Sequence, residues 1–267
     1  MLRVIIDAVR DPQYNMAIDE AIMRSRKNVN YDTLRLYMWS PSGVSLGRAQ
    51  SAERTVNLNA IKELGYKLVR RPTGGGALLH PENYEITYSV VLSLEHKIGK
   101  LSVDESASEI AKGILNALTI LGRDVRIKGL GDREKHNLCY LRSGSSDVII
   151  DGRKISGSAQ VRDDKALLQH GTLLLNFEPD TWLKVIKMQG VTPEFLKSRI
   201  AGLYEYVDAS ISQVTNALIE GFAKALNEEV FFGSITPAEM ELSHQLYKIK
   251  YSTDKWNLLG TEGMPSS

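Results

Sequence analysis

The sequence predicts an α+β fold with a mixed sheet and a helical C-terminal part. The first two thirds of the chain alternates short β-rich runs with amphipathic helical patterns, whereas the chain after Phe177 is mostly helical. A length of 267 residues with 43% hydrophobic residues is enough for one large core. We therefore expect a single domain over residues 1–267, with its helical part at about residues 178–257.

In the first half, strands are predicted at residues 3–6, 33–38, 43–46, 67–70 and 85–92, where β-branched and other apolar residues form short runs. Helices are predicted at residues 15–26, 58–64 and 102–121. The last of these has apolar residues at three- and four-residue steps, such as Ile110, Ile114 and Leu118. Strands and helices thus alternate up to residue 121.

In the second half, Asp151 and Gly152 predict a β-hairpin over residues 147–156, because Asp-Gly readily takes the positive φ angles of a tight turn. A further strand is predicted at residues 167–176. Helices are predicted at residues 180–188, 210–226 and 237–250, of which the last two follow starts rich in serine and threonine.

Composition excludes several classes of protein. With 33 Lys and Arg against 32 Asp and Glu, the net charge is +1, so we expect no nucleic-acid partner and only a local anion site. The single cysteine, Cys139, cannot form an internal disulfide, and the first residues lack the apolar core of a signal peptide. No apolar run approaches the roughly 18 residues that span a bilayer. We expect a cytoplasmic protein without a membrane segment.

The most informative segment is residues 70–80, which reads RRPTGGGALLH. Three consecutive glycines permit unusual backbone angles and let amide groups approach a ligand closely. Arg70 and Arg71 precede them, and guanidinium groups match carboxylate and phosphate oxygens. The spacing fits neither a dinucleotide fold nor a P-loop. The segment favours a bound anion over a plain surface turn.

The chain resembles the lipoate-protein ligase and octanoyltransferase family, which is related to biotin-protein ligases. The resemblance rests on this segment, the following EITYS, the earlier GRAQ at residues 47–50 and the later GRKISGSAQ at residues 152–160. The resemblance extends from Asn15 to Asn257. It implies a class II synthetase-like catalytic domain that attaches a lipoyl or octanoyl group to a lysine of a lipoyl domain. Biotin ligation suits the same motifs less well.

The resemblance also implies residue roles. Lys154 would face the reacting carbonyl, where an ammonium can stabilise developing negative charge. The expected acyl- and adenylate-binding residues are Arg70, Arg71, Thr73, Gly74, Gly75, Gly76, Ala77, His80, Gly157, Ser158, Ala159, His170, Gly171 and Thr172. His80 is equally consistent with a structural histidine, and the leucines after Gly171 with core residues. Lipoate or octanoate would be substrate, no tightly bound prosthetic group is expected, and metal ligands are not assigned.

Two mechanisms remain open within this family. The intact Gly74-Gly75-Gly76-Ala77 favours an ATP-dependent ligase, which forms an acyl-adenylate and needs ATP and Mg²⁺. Cys139 lies 13 and 15 positions before Gly152 and Lys154, a placement resembling octanoyltransferases that pass the acyl group through a cysteine thioester. Pro81 and Glu85 stand where ligases frequently have other residues. From these residues we prefer the ligase, with the transferase as the alternative.

The expected partner is a lipoyl-domain acceptor, either a dehydrogenase E2 subunit or a glycine-cleavage H protein. A ligase of this length would lack the accessory domain of longer relatives and would call for a separate accessory subunit, whereas a transferase would use an acyl carrier protein. A third alternative of a different class is a non-catalytic lipoyl-binding protein. The sequence does not distinguish lipoate from octanoate, since both present a similar apolar tail.

Overall fold

The computed structural model describes residues 1–123, 125–127, 144 and 146–261. Its strands are β1 (Leu2–Ile6), β2 (Asp32–Tyr37), β3 (Gly43–Leu46), β4 (Lys67–Arg70), β5 (Leu78–His80), β6 (Glu85–Ser93), β7 (Arg126–Ile127), β8 (Val148–Ile150), β9 (Arg153–Arg162), β10 (Ala166–Leu174) and β11 (Val230–Phe232). Its α-helices are α1 (Pro12–Ser25), α2 (Ala52–Thr55), α3 (Leu58–Glu63), α4 (Val103–Ile120), α5 (Pro179–Val185), α6 (Pro193–Arg199), α7 (Ile211–Leu226), α8 (Pro237–Leu246) and α9 (Asp254–Asn257).

The strands form two sheets. The larger has the order β11-β1-β2-β6-β10-β9-β8-β7, and the smaller has the order β4-β3-β5. In the larger sheet β1 pairs in parallel with β2 and β11, whereas β2, β6, β10 and β9 pair antiparallel. The predicted hairpin is confirmed: Asp151 and Gly152 have φ angles of 47° and 78° between β8 and β9. The predicted mixed sheet is therefore present.

Helices cover both faces of the large sheet. On one face α4 and α7 pack on each other and on the sheet, and close approach requires Gly113, since a Cβ there would lie 2.2 Å from the Phe222 ring. On the other face α1 packs against α8 and buries Met16, Ile18 and Ile22. Burying the apolar side of each helix is what fixes these layers.

The small sheet holds the glycine-rich segment. β3 pairs in parallel with β4 and antiparallel with β5, so the chain from Arg71 to Ala77 forms the connection from β4 to β5. α5 and α6 contribute to the core of this sheet through Trp182 and Leu196. The connection is thereby held between the small sheet and β10 of the large one.

Most predicted elements are confirmed within a few residues, and the differences have physical causes. The predicted helix at 180–188 ends at Val185, because Ile186 forms a bridge with Val56 and the Lys187 amide donates to the Thr55 carbonyl. The predicted helix at 237–250 is α-helical to Leu246 and then continues as a π-turn over Tyr247–Tyr251. In the described part of the chain, no helix has the length and apolarity to cross a membrane.

Candidate active site

A row of residues that lie directly opposite one another crosses four strands of the large sheet. Tyr37 on β2 pairs with Thr87 on β6, Thr87 with Thr172 on β10, and Thr172 with Gly157 on β9. Neighbouring strands lie about 4.8 Å apart, so the row is about 14 Å long. All four residues line a partly open cavity whose surface is almost entirely apolar. The other lining residues are Met16, Trp39, Ser45, Arg71, Leu78, His80, Ser158, Ala159, His170 and Gly171. An elongated apolar cavity of this kind suits an extended acyl chain.

Lys154 lies at the Gly157 end of this row. Its side chain is buried, and its Nζ is 2.8 Å from Oδ1 of the equally buried Asp147. The other carboxylate oxygen, Asp147 Oδ2, accepts a hydrogen bond from the Gly144 amide. A buried charge needs a partner of opposite sign to stay ionised. The ion pair therefore holds the Lys154 side chain beside Gly157, at one end of the strand row.

Glycine at position 157 makes room for that ammonium. A Cβ on Gly157 would lie 2.7 Å from Cε and 2.9 Å from Nζ of Lys154. A Cβ on Gly171 would likewise lie 2.5 Å from the Gly157 carbonyl oxygen and 2.6 Å from the Tyr88 hydroxyl. Burial raises the pKa of Tyr88 to about 12, so this phenol stays protonated. The two predicted glycines thus shape the floor of the cavity.

Arg70 lies behind the glycine-rich connection. Its Nε donates to the Trp256 carbonyl, Nη1 to the carbonyls of residues 47, 48 and 50, and Nη2 to those of Asn257 and Leu258. Burial lowers its pKa, and the charge of Arg48 adds to that effect. Arg70 therefore clamps two backbone segments, and the direct anion contact expected from sequence stays a prediction.

Arg71 performs a similar task inside the connection. Its Nη2 donates to the carbonyl oxygens of Gly74 (2.7 Å) and Gly76 (2.6 Å), and its Nη1 donates to Ser45 Oγ. Gly75 takes a φ of 90°, which is readily accessible only to glycine. With carbonyls of Gly74 and Gly76 turned towards the guanidinium, the connection has a fixed conformation.

A buried chain of polar groups supports His170 in the cavity wall. His170 Nε2 is 2.7 Å from Thr73 Oγ1, and His170 Nδ1 is 3.2 Å from Asp19 Oδ2. Asp19 also accepts from Arg35 at 2.7 Å. Burial lowers the pKa of His170, whereas burial acts to raise the pKa of Asp19 but is outweighed by Arg35 and His170. The network fixes the ring of His170 and keeps Asp19 ionised.

The structure brings most of the predicted site residues together. Eight of the predicted binding residues line the cavity: Arg71, His80, Gly157, Ser158, Ala159, His170, Gly171 and Thr172. Thr73 and the segment Gly74, Gly75, Gly76 and Ala77 form the adjacent connection. Cys139, the predicted thiol nucleophile, lies outside the described residues.

Sequence reasoning missed three buried carboxylates. Asp147 pairs with Lys154, Asp19 supports His170, and Glu85 supports His80. The sequence did contain an indication of the Asp147–Lys154 pair. Asp147 precedes the predicted hairpin turn and Lys154 follows that turn, so the two strands of the hairpin bring the two residues close together.

The model of the lipoyl protein ligase A/B catalytic domain matches residues 11–223 of this chain. The chain belongs to that family. The proteins named octanoyltransferase LipM from Kyrpidia tusciae and Bacillus subtilis are 35% and 30% identical to it. These alignments cover 91% and 96% of this chain, and 93% and 97% of the relatives. The chain is thus similar over nearly its full length to enzymes that carry out one of the two activities predicted.

Solved structures are similar over the same extent. The bipartite lipoate protein ligase of Thermoplasma acidophilum, studied with its E2 lipoyl domain, has a TM-score of 0.85 and 29% identity, with 99% of this chain and 98% of that chain covered. A lipoate-protein ligase A bound with ATP has a TM-score of 0.83 and 31% identity, covering 96% and 98%. These similarities confirm the α+β, class II synthetase-like fold and an enzyme of the ligase and octanoyltransferase family.

Proposed function

We propose that this protein is an octanoyltransferase that moves an octanoyl group from an acyl carrier protein to a lysine of a lipoyl domain, through a thioester on Cys139. The observation that carries the proposal is Lys154, which Asp147 holds beside Gly157, a lining residue at one end of the strand row that crosses the apolar cavity. The full-length similarity to octanoyltransferases supports transfer without ATP. The chain's own motif, with Cys139 15 positions before Lys154, supplies the nucleophile that such transfer needs.

The proposed reaction has two steps of nucleophilic substitution at the acyl carbon. The Cys139 thiolate attacks the octanoyl thioester of the carrier, the new carbon–sulfur bond forms, and the carrier thiolate leaves and takes up a proton. The neutral amine of the acceptor lysine then attacks the Cys139 thioester, an amide forms, and the amine proton is released as the Cys139 thiolate leaves. In both steps the Lys154 ammonium stabilises the negative charge that develops on the carbonyl oxygen.

The chain's other residues have supporting roles in this proposal. The octanoyl tail lies along the strand row from Gly157 towards Tyr37, and burial of its methylenes provides about 0.8 kcal/mol each. The glycine-rich connection, held by Arg71, covers the acyl group. The proposed acceptor is an E2 subunit or an H protein; the similar Thermoplasma acidophilum ligase was studied with its E2 lipoyl domain, which supports the first of these.

An ATP-dependent ligase is the second candidate, because one similar chain was solved with ATP bound. Such a reaction needs cations for the triphosphate, with Mg²⁺ as the expected metal. Arg70 and Arg71, the cations expected for this role, donate to backbone carbonyls and to Ser45 and Thr73. Their geometry therefore favours the transferase, in which no triphosphate has to be bound.

The test compares two donor mixtures by intact mass of an apo lipoyl domain. One contains octanoyl carrier protein without ATP, and the other contains lipoate with ATP and Mg²⁺. We expect octanoylation in the first mixture, and we expect Cys139→Ala to lose it. The control is Lys165→Ala, which keeps Cys139 and changes an exposed lysine; it should retain octanoylation. Lipoylation in the second mixture that survives Cys139→Ala would establish the ligase instead. Lipoate binding without modification in either mixture would establish the non-catalytic protein.

A further inference from the structure

Three residues of the cavity wall contact one another, and two of them lie across β10 from Lys154: Thr87 on β6, and Trp39 just after β2. Trp39 Nε1 donates to Thr87 Oγ1 at 2.7 Å. The ring of Trp39 stacks on the ring of His80, with centroids 3.9 Å apart and an angle of 13° between the planes. All three side chains line the cavity, and the strand row places Thr87 two strands away from Gly157. They form a continuous patch that we call the far wall, defined as Trp39, His80 and Thr87.

One carboxylate oxygen outside the cavity holds this far wall. Glu85 Oε1 accepts from Thr87 Oγ1 at 2.7 Å and lies 2.7 Å from His80 Nδ1. Glu85 is itself 1% exposed and is not among the lining residues of the cavity. Trp39 is linked to Glu85 through Thr87 and lies flat on His80, so all three wall residues are connected to this one group.

The directions of the hydrogen bonds fit together. The Trp39 N–H points at Thr87 Oγ1, so the Thr87 hydroxyl proton is directed at Glu85 Oε1. Because Oε1 serves as acceptor, His80 Nδ1 is the donor, and His80 Nε2 can accept from Ser45 Oγ at 2.9 Å. The polar atoms of the far wall thus bond to one another. This accounts for a cavity with polar lining residues and an apolar surface.

The second oxygen of Glu85 has a different environment. Among the buried side-chain atoms of the described residues, Glu85 Oε2 is the one without a hydrogen-bond partner. A buried acceptor without a partner costs stability, and such a group in a folded protein calls for an explanation. The two hydrogen bonds that Oε1 accepts offer that explanation, since a carboxylate at this position fixes both His80 and Thr87 of the far wall.

We propose that Glu85 is a specificity-determining positioning residue, which fixes the far wall and thereby limits the length of the acyl chain that the cavity accepts. This inference rests on the proposed function, in which the acyl carbonyl lies near Lys154 and the tail points to the far wall. With Glu85 in place, octanoyl fits and a saturated chain two carbons longer does not. Without its anchor, the far wall moves and the longer chain is admitted.

The test is a competition in one tube. Octanoyl and decanoyl carrier proteins at equal concentration compete for one apo lipoyl domain, and intact mass gives the ratio of products. This ratio does not depend on the fraction of enzyme that is folded. The enzymes are the wild type, Glu85→Ala, Glu85→Gln and Thr87→Val, with Glu82→Gln as a matched control because Glu82 is a nearby exposed glutamate.

For the wild type and Glu82→Gln we expect octanoyl to be preferred by about tenfold or more, since even one extra methylene changes selectivity in an apolar pocket by about tenfold and decanoyl carries two. Glu85→Ala should lower that preference by about fivefold or more, with Thr87→Val changing it in the same direction. Glu85→Gln keeps an oxygen acceptor and should retain most of the preference. A product ratio in Glu85→Ala within about twofold of the wild type would overturn the proposal.

A second readout separates failure of this inference from failure of the proposed function. Calorimetric titration with free octanoate and decanoate measures the same preference without donor, acceptor or turnover. If the wild type transfers neither acyl group, the proposed function fails, and the calorimetric preference alone decides the role of Glu85. An octanoate preference that is lost in Glu85→Ala supports the role. Equal preference in both proteins, or no binding of either acid to the wild type, overturns it.

Discussion

Lys154 can act as a fixed cation because its neighbours leave its ammonium one position. Lys154 is 6% exposed and paired with Asp147, and its side chain occupies the space that a Cβ at position 157 would need. An exposed lysine would have to lose rotamer freedom and water in each turnover, whereas here that ordering is complete before substrate binds. We therefore predict that the catalytic effect of Lys154 depends on its neighbours as well as on its charge.

Lys154→Ala should lower kcat for octanoyl transfer by about 10²–10³-fold, the usual loss when one stabilising group for a developing oxyanion is removed. Intact-mass time courses with saturating donor measure this effect. Lys165→Ala, which removes an exposed lysine of the β9–β10 turn, is the control and should be active. Near-normal turnover by Lys154→Ala would exclude Lys154 from the reaction.

Gly157→Ala should also lower kcat, by about 10-fold or more, because the new methyl would lie 2.7 Å from Lys154 Cε and displace the ammonium. KM for the acyl donor should change less than kcat. The matched control is Gly152→Ala. A Cβ at Gly152 meets no neighbour within 4 Å, so this substitution only strains the hairpin turn, where the residue has a φ of 78°. An equal loss in both variants would indicate general damage to β9 instead.

At the scale of elements, the clamp formed by Arg70 joins α9 to the glycine-rich connection and to the segment after β3. Arg48 adds to it, since its Nη1 donates to the Gly260 carbonyl and its guanidinium lies 4.4 Å from the Trp256 ring centroid. The C-terminal end of the described chain is thus part of the support of the active site. Arg70 and Trp256 are 186 positions apart, so the sequence gave no indication of this contact.

Arg70→Lys should destabilise the protein by about 2–4 kcal/mol, because lysine cannot reach six carbonyl groups and leaves buried acceptors unpaired. Urea unfolding monitored by tryptophan fluorescence measures the change, and Trp256 lies beside the substitution. The control is Arg54→Lys, at an exposed position on α2, with an expected change below about 0.5 kcal/mol. A stability loss no larger than that of the control would contradict the clamp.

Prediction from sequence succeeded where periodicity or a turn decides the structure. The hairpin at Asp151 and Gly152, the amphipathic α4 and α7, and the family motifs all depend on local pattern. It failed for β11 and β5, which are three residues long and exist because neighbouring strands pair with them. The buried carboxylates were missed for a related reason, since a partner such as Arg35 for Asp19 is defined only by the folded chain.

At the scale of the whole molecule, buried ionisable groups make folding sensitive to acid. Burial lowers the pKa of His170 below its ordinary value of 6.5, so the unfolded chain binds a proton more readily than the folded chain. Stability therefore falls as the pH drops below about 6.5 towards the lowered pKa. Asp19, whose pKa is also lowered, adds a further loss when the pH falls below 3.8.

We expect the free energy of unfolding to decrease from pH 7 to pH 5, and to decrease less in His170→Gln. Burial also lowers the pKa of His96, so some pH dependence should persist in that variant. Urea unfolding at several pH values gives the slopes. The control is His244→Gln, on α8, which should keep the slope of the wild type. Identical slopes in the wild type and His170→Gln would show that His170 is not held neutral.

In the proposed reaction the acyl group passes through the thiol of Cys139. The most direct test is to incubate the protein with octanoyl carrier protein, without ATP and without acceptor, and to measure the intact mass of the protein itself. We expect one added octanoyl group that hydroxylamine removes, that Cys139→Ala never acquires, and that an apo lipoyl domain takes up when added. A wild type that stays unmodified yet octanoylates the acceptor, or an adduct that persists in Cys139→Ala, would contradict it.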